Sequence, residues 1–189
     1  MNILGNKVVL RAIEEEDLIL LHKWANDPQT QDIMGPIHFP SSMDFHKSWF
    51  QNLKNDQTNL RFAVETNEFG LIGIASIMGI DLRHKHASPG ITIGNNESKG
   101  KGYGVDSVMT IMRFCFDELN LERLDGLPIE YNEISISMLL NKCGWKKEGI
   151  KSNYYYRKGR FWDAIIIGIT RQNYYELVEK TGYWTLQNS

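Results

Sequence analysis

The residues best suited to chemistry lie in the stretch Asn95–Gly104, where glycines alternate with lysine and tyrosine. Glycine lets the backbone turn and approach a ligand closely. A helical pattern begins directly after this loop, so the first N–H groups and the positive dipole end of a helix face the same space. Such a turn is an anion site, most often for phosphate. The candidate anion-binding residues are Lys99, Gly100, Lys101, Gly102, Tyr103 and Gly104.

Short apolar elements on either side must hold this loop in place. The run Gly90–Gly94 is β-branched and flanked by glycines, which predicts a strand. After the loop, apolar residues recur at steps of three and four, which predicts a helix as far as Leu119. Asp106, Arg113 and Asp117 fall off the apolar face of that helix. The unit is therefore strand, phosphate loop and helix.

Three kinds of phosphate loop fit this outline. A P-loop places Ser or Thr after its lysine, whereas Gly102 follows Lys101 here. A dinucleotide fingerprint has a different glycine spacing, although Glu122 lies about 20 residues on, where a ribose-binding acid is expected. The run Lys99–Gly104 resembles the pyrophosphate loop [QR]-x-x-G-x-[GA] of the GNAT acetyltransferases, with Lys99 where that family prefers Gln or Arg.

Length and composition limit the possible classes. The 189 residues suit one domain spanning 1–189, and a net charge of −2 argues against a protein that coats nucleic acid. Cys115 and Cys143 lie inside apolar helical patterns, so we expect buried thiols in a reducing compartment. The sequence has no metal-ligand spacing, signal peptide or apolar run long enough to span a bilayer. We therefore expect a cytoplasmic protein without a metal or a membrane partner.

The remaining patterns predict the other elements. Helices are expected from Glu14–Asp17, whose acids suit a first turn, to Ala25, over Met43–Lys54 and Ile134–Cys143, and from Arg171 onward. Strands are expected over Lys7–Ala12, Arg61–Thr66, Leu71–Ile80, Glu122–Ile129, Trp145–Arg157 and Phe161–Thr170. Asn26–Pro28 should end the first helix, Ile33–Pro40 should be an irregular loop, and Leu82–Ser88 should be an exposed turn.

A second motif follows the phosphate loop. The run Asn132–Trp145 resembles the GNAT signature N-x-x-S-x-x-L-L-x-K-x-G-[FW], and the two signatures occur in the order that the family requires. Leu10–Pro28 and Gly159–Asp163 resemble the GNAT branch that includes the acetyltransferases of ribosomal-protein N-termini. The resemblance covers almost the whole chain.

The resemblance implies a fold and a co-substrate. The fold would be the α/β (mixed α+β) GNAT acyl-CoA N-acyltransferase fold, a splayed, mostly antiparallel mixed sheet flanked by helices. Acetyl-CoA would place its pyrophosphate on the loop and its pantetheine arm along the strand residues Ile91, Thr92 and Ile93, with Asn132 nearby. A backbone N–H near Ile93 would stabilise the oxyanion of the intermediate.

The resemblance does not assign the proton-transfer groups. An acetyl transfer by direct attack needs a group that takes the amine proton and one that protonates the leaving thiolate. Many GNAT enzymes carry a tyrosine at the position of Leu140 and a glutamate at the position of Ser88. Ser135 is the substitute candidate for the acid and Glu130 the candidate for the base. The alternative roles are helix capping for Ser135 and a solvated strand end for Glu130.

The acceptor amine stays open at this point, as do two other classes of function. The acceptor is a protein N-terminus, a polyamine or another small amine; the alternatives are a non-catalytic acyl-CoA-binding module and a nucleotide-binding protein. Tyr154–Tyr156 and Trp184 are candidates for a homodimer face. Four aromatic side chains form either core or one wall of the acceptor groove: Trp24, Phe39, Phe45 and Trp49.

Overall fold

The computed structural model describes residues 1–33 and 39–185. Most of the loop expected over Ile33–Pro40 lies outside these residues. Eight strands form one sheet in the order β1-β2-β3-β4-β5-β6-β8-β7. The strands are β1 (Ile3–Leu4), β2 (Val9–Arg11), β3 (Leu60–Thr66), β4 (Gly70–Asp81), β5 (His86–Ile93), β6 (Arg123–Gly126), β7 (Lys146–Arg157) and β8 (Arg160–Thr170).

The described residues form six α-helices around this sheet. They are α1 (Leu18–Ala25), α2 (Pro28–Ile33), α3 (Met43–Leu53), α4 (Tyr103–Arg113), α5 (Glu133–Lys142) and α6 (Arg171–Thr181), and a π-helical turn (Phe114–Glu118) continues α4. On one face, α1 and α3 pack over Ala63 and Leu71. On the other, α4, α5 and α6 pack over Val64 and Ile72. Because neighbouring residues of a strand point to opposite faces, Ala63 and Val64 separate the two layers.

Several predicted boundaries were wrong for identifiable reasons. The register of β4 shifts between Met78 and Asp81, which lets His86 pair with Asp81, so the expected exposed turn over Leu82–Ser88 ends at Lys85. Strand β6 ends at Gly126 rather than Ile129, and Ile129 makes an isolated bridge to Ala164.

The first helix ends before Asn26–Pro28, as predicted, and Pro28 begins a further helix, α2, that was not predicted. Proline suits the first helical position, since that position needs no N–H and its fixed φ is already helical. The Asp27 carboxylate accepts a hydrogen bond from the N–H of Thr30 at 2.8 Å, which caps the new helix. The other predicted helices and strands are confirmed within a few residues of their ends.

The pairing of β5 with β6 is parallel and registers at two positions, His86 with Arg123 and Ala87 with Leu124. Beyond Ala87 the two strands have no registered pairs, so the sheet splays. The N–H of Gly94 donates to the Ile72 carbonyl of β4 at 2.9 Å. Backbone groups alternate in direction along a strand, so those of Ile91 and Ile93 face the splay rather than β4.

Asp106 is buried, with 1% of its surface exposed, although the helical pattern placed it off the apolar face. Its carboxylate accepts N–H bonds from Asn6 (3.1 Å), Lys7 (2.6 Å) and Val8 (2.9 Å), and an O–H bond from Tyr183 (2.8 Å). This one side chain therefore ties the β1–β2 connection and the residues after α6 to the helix that follows the phosphate loop.

Other expectations concern surfaces. Trp184 packs within its own chain, where its indole N–H donates to Tyr174 and its ring lies 3.9 Å from the Arg113 guanidinium carbon. The homodimer stays a prediction. No helix in the described part of the chain is long and apolar enough to cross a bilayer. Within residues 1–33 and 39–185, no three His, Cys, Asp or Glu side chains are grouped as metal ligands.

Candidate active site

The glycine loop has the conformation that its sequence requires. Gly100 and Gly102 have φ values of +79° and +87°, a region that favours glycine, and Gly102 immediately precedes α4. A Cβ added at Gly100 would have no other atom within 4 Å, so open space lies beside the backbone. Because α4 begins at Tyr103, its first N–H groups have no partner within the helix. The loop is therefore open to an anionic ligand.

Three lysines surround this loop, one more than the sequence analysis identified. Lys7 comes from the β1–β2 connection and donates to the Lys101 carbonyl at 3.1 Å. Lys101 itself pairs with Glu68 at 2.5 Å, and Tyr103 donates to the other oxygen of that carboxylate at 2.9 Å. These two hydrogen bonds lower the pKa of Glu68. Lys99 donates to Asn96 at 2.5 Å.

A cavity of about 680 Å³ occupies the splay. Ile91 and Thr92 of β5 line one side of it, and Gly126, which ends β6, lines the other. Val108 of α4 and Ser135 of α5 contribute from the loop side of the sheet. The cavity therefore connects the two faces of the sheet through the gap between β5 and β6.

The four aromatic side chains of uncertain role all line this cavity, which favours the acceptor wall over a pure core role. Trp24 is fixed by a close approach, because a Cβ at Gly94 would lie 2.1 Å from its Cδ2 atom. Phe39 and Phe45 are 80% and 54% exposed, so they lie at the mouth. The helices α1 and α3 therefore give the cavity an apolar entrance on the face opposite the glycine loop.

His46 is a cavity residue that the sequence analysis missed. It is 8% exposed, and its Nε2 lies 2.8 Å from the Ser41 hydroxyl oxygen. Burial, with a smaller contribution from His22, lowers the pKa of His46, so the imidazole is neutral near pH 7. His46 precedes Trp49 by three residues, so the two share one face of α3, and this spacing could have identified His46.

Of the two predicted catalytic residues, only Ser135 lines the cavity. Ser135 lines the cavity together with Asn132, whose side-chain oxygen accepts the Ser135 N–H at 3.3 Å and so caps α5. Glu130 is exposed and does not line the cavity; its Oε1 accepts the N–H of Asp163 at 3.0 Å. At the position where many GNAT enzymes carry a tyrosine, Leu140 packs against the core.

Most of the predicted cofactor-binding residues lie at the loop or the splay, but the backbone groups of Thr92 do not. The loop residues lie together at the start of α4, as expected. Ile91 and Ile93 present backbone groups to the splay, whereas those of Thr92 face β4. An anion loop, a free strand edge and a cavity between them fit a phosphorylated, extended acyl carrier such as acetyl-CoA.

A phosphate loop beside a splayed parallel strand pair defines the class of acyl-CoA-dependent N-acyltransferases. The model of the acetyltransferase (GNAT) domain family matches residues 7–146, and the chain belongs to that family. It is therefore an N-acetyltransferase with acetyl-CoA as co-substrate.

Relatives agree with this assignment over nearly their whole length. The SPbeta prophage-derived uncharacterized N-acetyltransferase YokL of Bacillus subtilis is 28% identical, over 90% of this chain and 93% of that protein. The spermidine N(1)-acetyltransferase of Vibrio cholerae is 24% identical, over 90% and 97%. A crystal structure of spermidine N-acetyltransferase from Vibrio cholerae with CoA and spermine superposes with a TM-score of 0.81 at 24% identity, covering 90% of this chain and 99% of that one. These relatives support the GNAT assignment without singling out the ribosomal-protein branch.

Proposed function

We propose that this protein transfers the acetyl group of acetyl-CoA to a primary amine by direct attack within a ternary complex. The observation that carries the proposal is the cavity, which joins the glycine-loop side of the sheet to the aromatic wall through the splay. Two substrates entering from opposite faces would meet beside β5. No covalent enzyme intermediate is needed, and burial raises the pKa of both Cys115 and Cys143 to about 12.

Different residues would bind different parts of acetyl-CoA. The glycine loop, with Lys7 nearby, would hold the pyrophosphate. The free backbone groups of Ile91 and Ile93 would hold the extended arm, as a neighbouring strand would. The N–H of Ile93 would then be available to a developing oxyanion, where a fixed backbone donor stabilises negative charge effectively.

Proton transfer would involve the polar groups that reach the cavity. His46 is neutral near pH 7, so its imidazole can accept a proton, directly or through the adjacent Ser41 hydroxyl. Ser135 presents the candidate acid on the opposite wall. Glu130 would have to act through solvent, because its carboxylate faces Asp163 outside the cavity. His46 is therefore a better candidate for the base than Glu130, because its side chain lines the cavity.

The proposal is tested by calorimetric titration with acetyl-CoA, with ATP and NAD as controls. Gly102→Val should weaken acetyl-CoA binding by about tenfold or more, because a side chain there strains the loop and crowds the pyrophosphate. Gly159→Val is the matched control. Its glycine also has positive φ, +74°, but lies in the β7–β8 turn far from the loop in sequence. Equal affinities of the two variants would refute the assignment of the loop.

Catalysis needs its own measurement, because a non-catalytic acyl-CoA-binding module would give the same titration. Release of free CoA is followed with a thiol reagent while peptides with free N-termini, polyamines and small amines are supplied in turn. Turnover well above the rate of acetyl-CoA hydrolysis supports the enzyme. Binding without turnover for every amine would favour the module.

A further inference from the structure

The charge distribution of the acceptor cavity is unlike that expected of a polyamine site. The chain has 23 acidic residues, yet none of those described lines the cavity. Within residues 1–33 and 39–185, its charged lining residue is the single cation Arg61. The remaining polar side chains are neutral: Gln31, Ser41, His46, Ser76, Thr92, Asn132 and Ser135.

Arg61 has no counter-ion among the described residues. Its Nη1 donates to the Leu60 carbonyl at 3.1 Å, and no carboxylate lies within ion-pair distance. By contrast, Arg11 pairs with Asp17 and Glu65, and Arg123 pairs with Asp125 and Glu148.

The guanidinium of Arg61 is also partly buried, and its desolvation lowers its pKa, with a smaller opposing effect from Asp56. That carboxylate is engaged with Thr58 and Asn59. Arginine stays protonated, so Arg61 is a partly desolvated positive charge without an ion-pair partner among the described residues.

The sheet register places this charge beside the reaction zone. Arg61 pairs with Ser76 of β4, and Ser76 pairs with Gly90 of β5, so the three residues form one row across the sheet. The Ser76 hydroxyl donates to the Gly90 carbonyl at 3.3 Å. Adjacent strands lie about 4.8 Å apart, so the backbone of Arg61 is about 10 Å from that of β5. The Arg61 side chain lines the same cavity as Ile91 and Thr92 of β5.

One residue that lines the same cavity, Gln31, carries an unpaired acceptor. Among the described residues, the buried Oε1 of Gln31 has no hydrogen-bond partner. The cavity therefore combines a fixed positive charge, a neutral acceptor and an aromatic entrance. A substrate with several ammonium groups would meet the charge of Arg61 without a carboxylate to offset it.

We propose that the acceptor is a primary amine that also carries an oxyanion and an apolar body, with Arg61 binding the oxyanion. This inference rests on the proposed acetyltransferase function and names its substrate class. A planar guanidinium binds carboxylate or phosphate through two parallel hydrogen bonds. The aromatic wall contacts the apolar body, and the amine is left facing β5. Amino acids with large apolar side chains have this chemistry.

The inference is tested by binding, which does not require turnover. The CoA complex is titrated calorimetrically with L-phenylalanine, L-tryptophan and L-methionine, each against its own amide, which keeps the amine and removes the negative charge. O-phosphoethanolamine against ethanolamine distinguishes phosphate from carboxylate, and spermidine represents the polyamines. At least one oxyanion-bearing amine should bind about 10- to 100-fold more tightly than its uncharged partner, the range expected for a charge-assisted pair.

Two variants assign this preference to its residue. Arg61→Gln should abolish the ratio of acid to amide affinity, and Arg61→Lys should restore part of it, because lysine keeps the charge without the planar fork. Arg83→Gln is the matched control, since Arg83 is exposed in the β4–β5 turn and its loss changes the net charge equally. The Arg83 variant should keep the wild-type ratio.

The outcomes separate the inference from the proposed function. Spermidine binding as tightly as the best acid would overturn the inference, as would no acid exceeding its amide or a ratio unchanged in Arg61→Gln. Aromatic rings also attract cations, and a polyamine held that way would be revealed by the spermidine arm. Failure of acetyl-CoA to bind, or of any bound acceptor to be acetylated, would instead count against the proposed function.

Discussion

The buried carboxylate of Asp106 allows a quantitative prediction. In Asp106→Asn, one oxygen remains to accept the N–H groups of Lys7 and Val8, but the new amide group faces the Asn6 N–H, which it cannot accept. The Tyr183 hydroxyl can rotate to accept instead. One bond to a charged group is lost and two become neutral, so we expect a cost of about 3 kcal/mol in the free energy of unfolding.

For a chain of this length, that cost corresponds to a decrease of about 6–12 °C in Tm, measured by differential scanning calorimetry. The control is Asp117→Asn on the same helical segment, where an exposed carboxylate accepts one bond from Tyr175, and its Tm should fall by less than about 3 °C. The same Asp106 variant should bind acetyl-CoA up to about fivefold more weakly, because Asn6, the residue next to Lys7, loses its anchor beside the loop.

Three outcomes would contradict parts of this reasoning. A Tm within about 2 °C of wild type would show that the carboxylate does not hold the β1–β2 connection. Equal destabilisation by the two substitutions would assign the loss to a general effect of charge on the helix. If Tm falls substantially while the affinity for acetyl-CoA is unchanged, the Asp106 carboxylate acts only as a stabilising contact, and Lys7 does not contribute to acetyl-CoA binding.

Two further predictions concern the acceptor wall. Gly94→Ala should destabilise the fold by about 1–3 kcal/mol and raise the KM of the acceptor, because its Cβ would overlap the ring of Trp24. Most of the loss in stability should disappear in a Trp24→Ala background. Chemical denaturation of both single variants and the double variant measures this in a double-mutant cycle. Because the pKa of His46 is lower in the folded than in the unfolded state, stability is fully present above the unfolded value of about 6.5 and falls as pH decreases through that value. Tm should therefore fall less between pH 7.5 and 5.5 in His46→Gln than in wild type, and an identical fall would show that another group is responsible.

The sequence predicted the elements whose signals are local. The glycine loop and the helix that follows it depend on backbone requirements and an apolar period that a few neighbouring residues reveal. The pattern of the helix from Val105 predicted its apolar face but not the burial of Asp106. That burial depends on three N–H groups about 100 positions earlier in the chain, which no helical period reports.

The residues that line the cavity could not be predicted either, because contacts between distant parts of the chain bring them together. Arg61 belongs to a strand of ordinary composition, and its role depends on the register that aligns it with Ser76 and Gly90. His46 resembles a surface residue until α3 packs on the sheet. Glu130 had a suitable position at the end of a predicted strand, but β6 ends earlier and the carboxylate turns to Asp163.

The path of the chain between β2 and β3 has an evolutionary consequence. The aromatic wall and His46 belong to residues 12–59, which leave the sheet after Arg11 and return at Leu60. Because Arg11 pairs with Ala63, the two ends of this segment lie on adjacent strands. Because the β2–β3 pairing fixes both ends, a change within the segment need not alter the register of these two strands. Arg61 lies outside it, so selection for the shape of an acceptor and selection for its charge can proceed by separate substitutions.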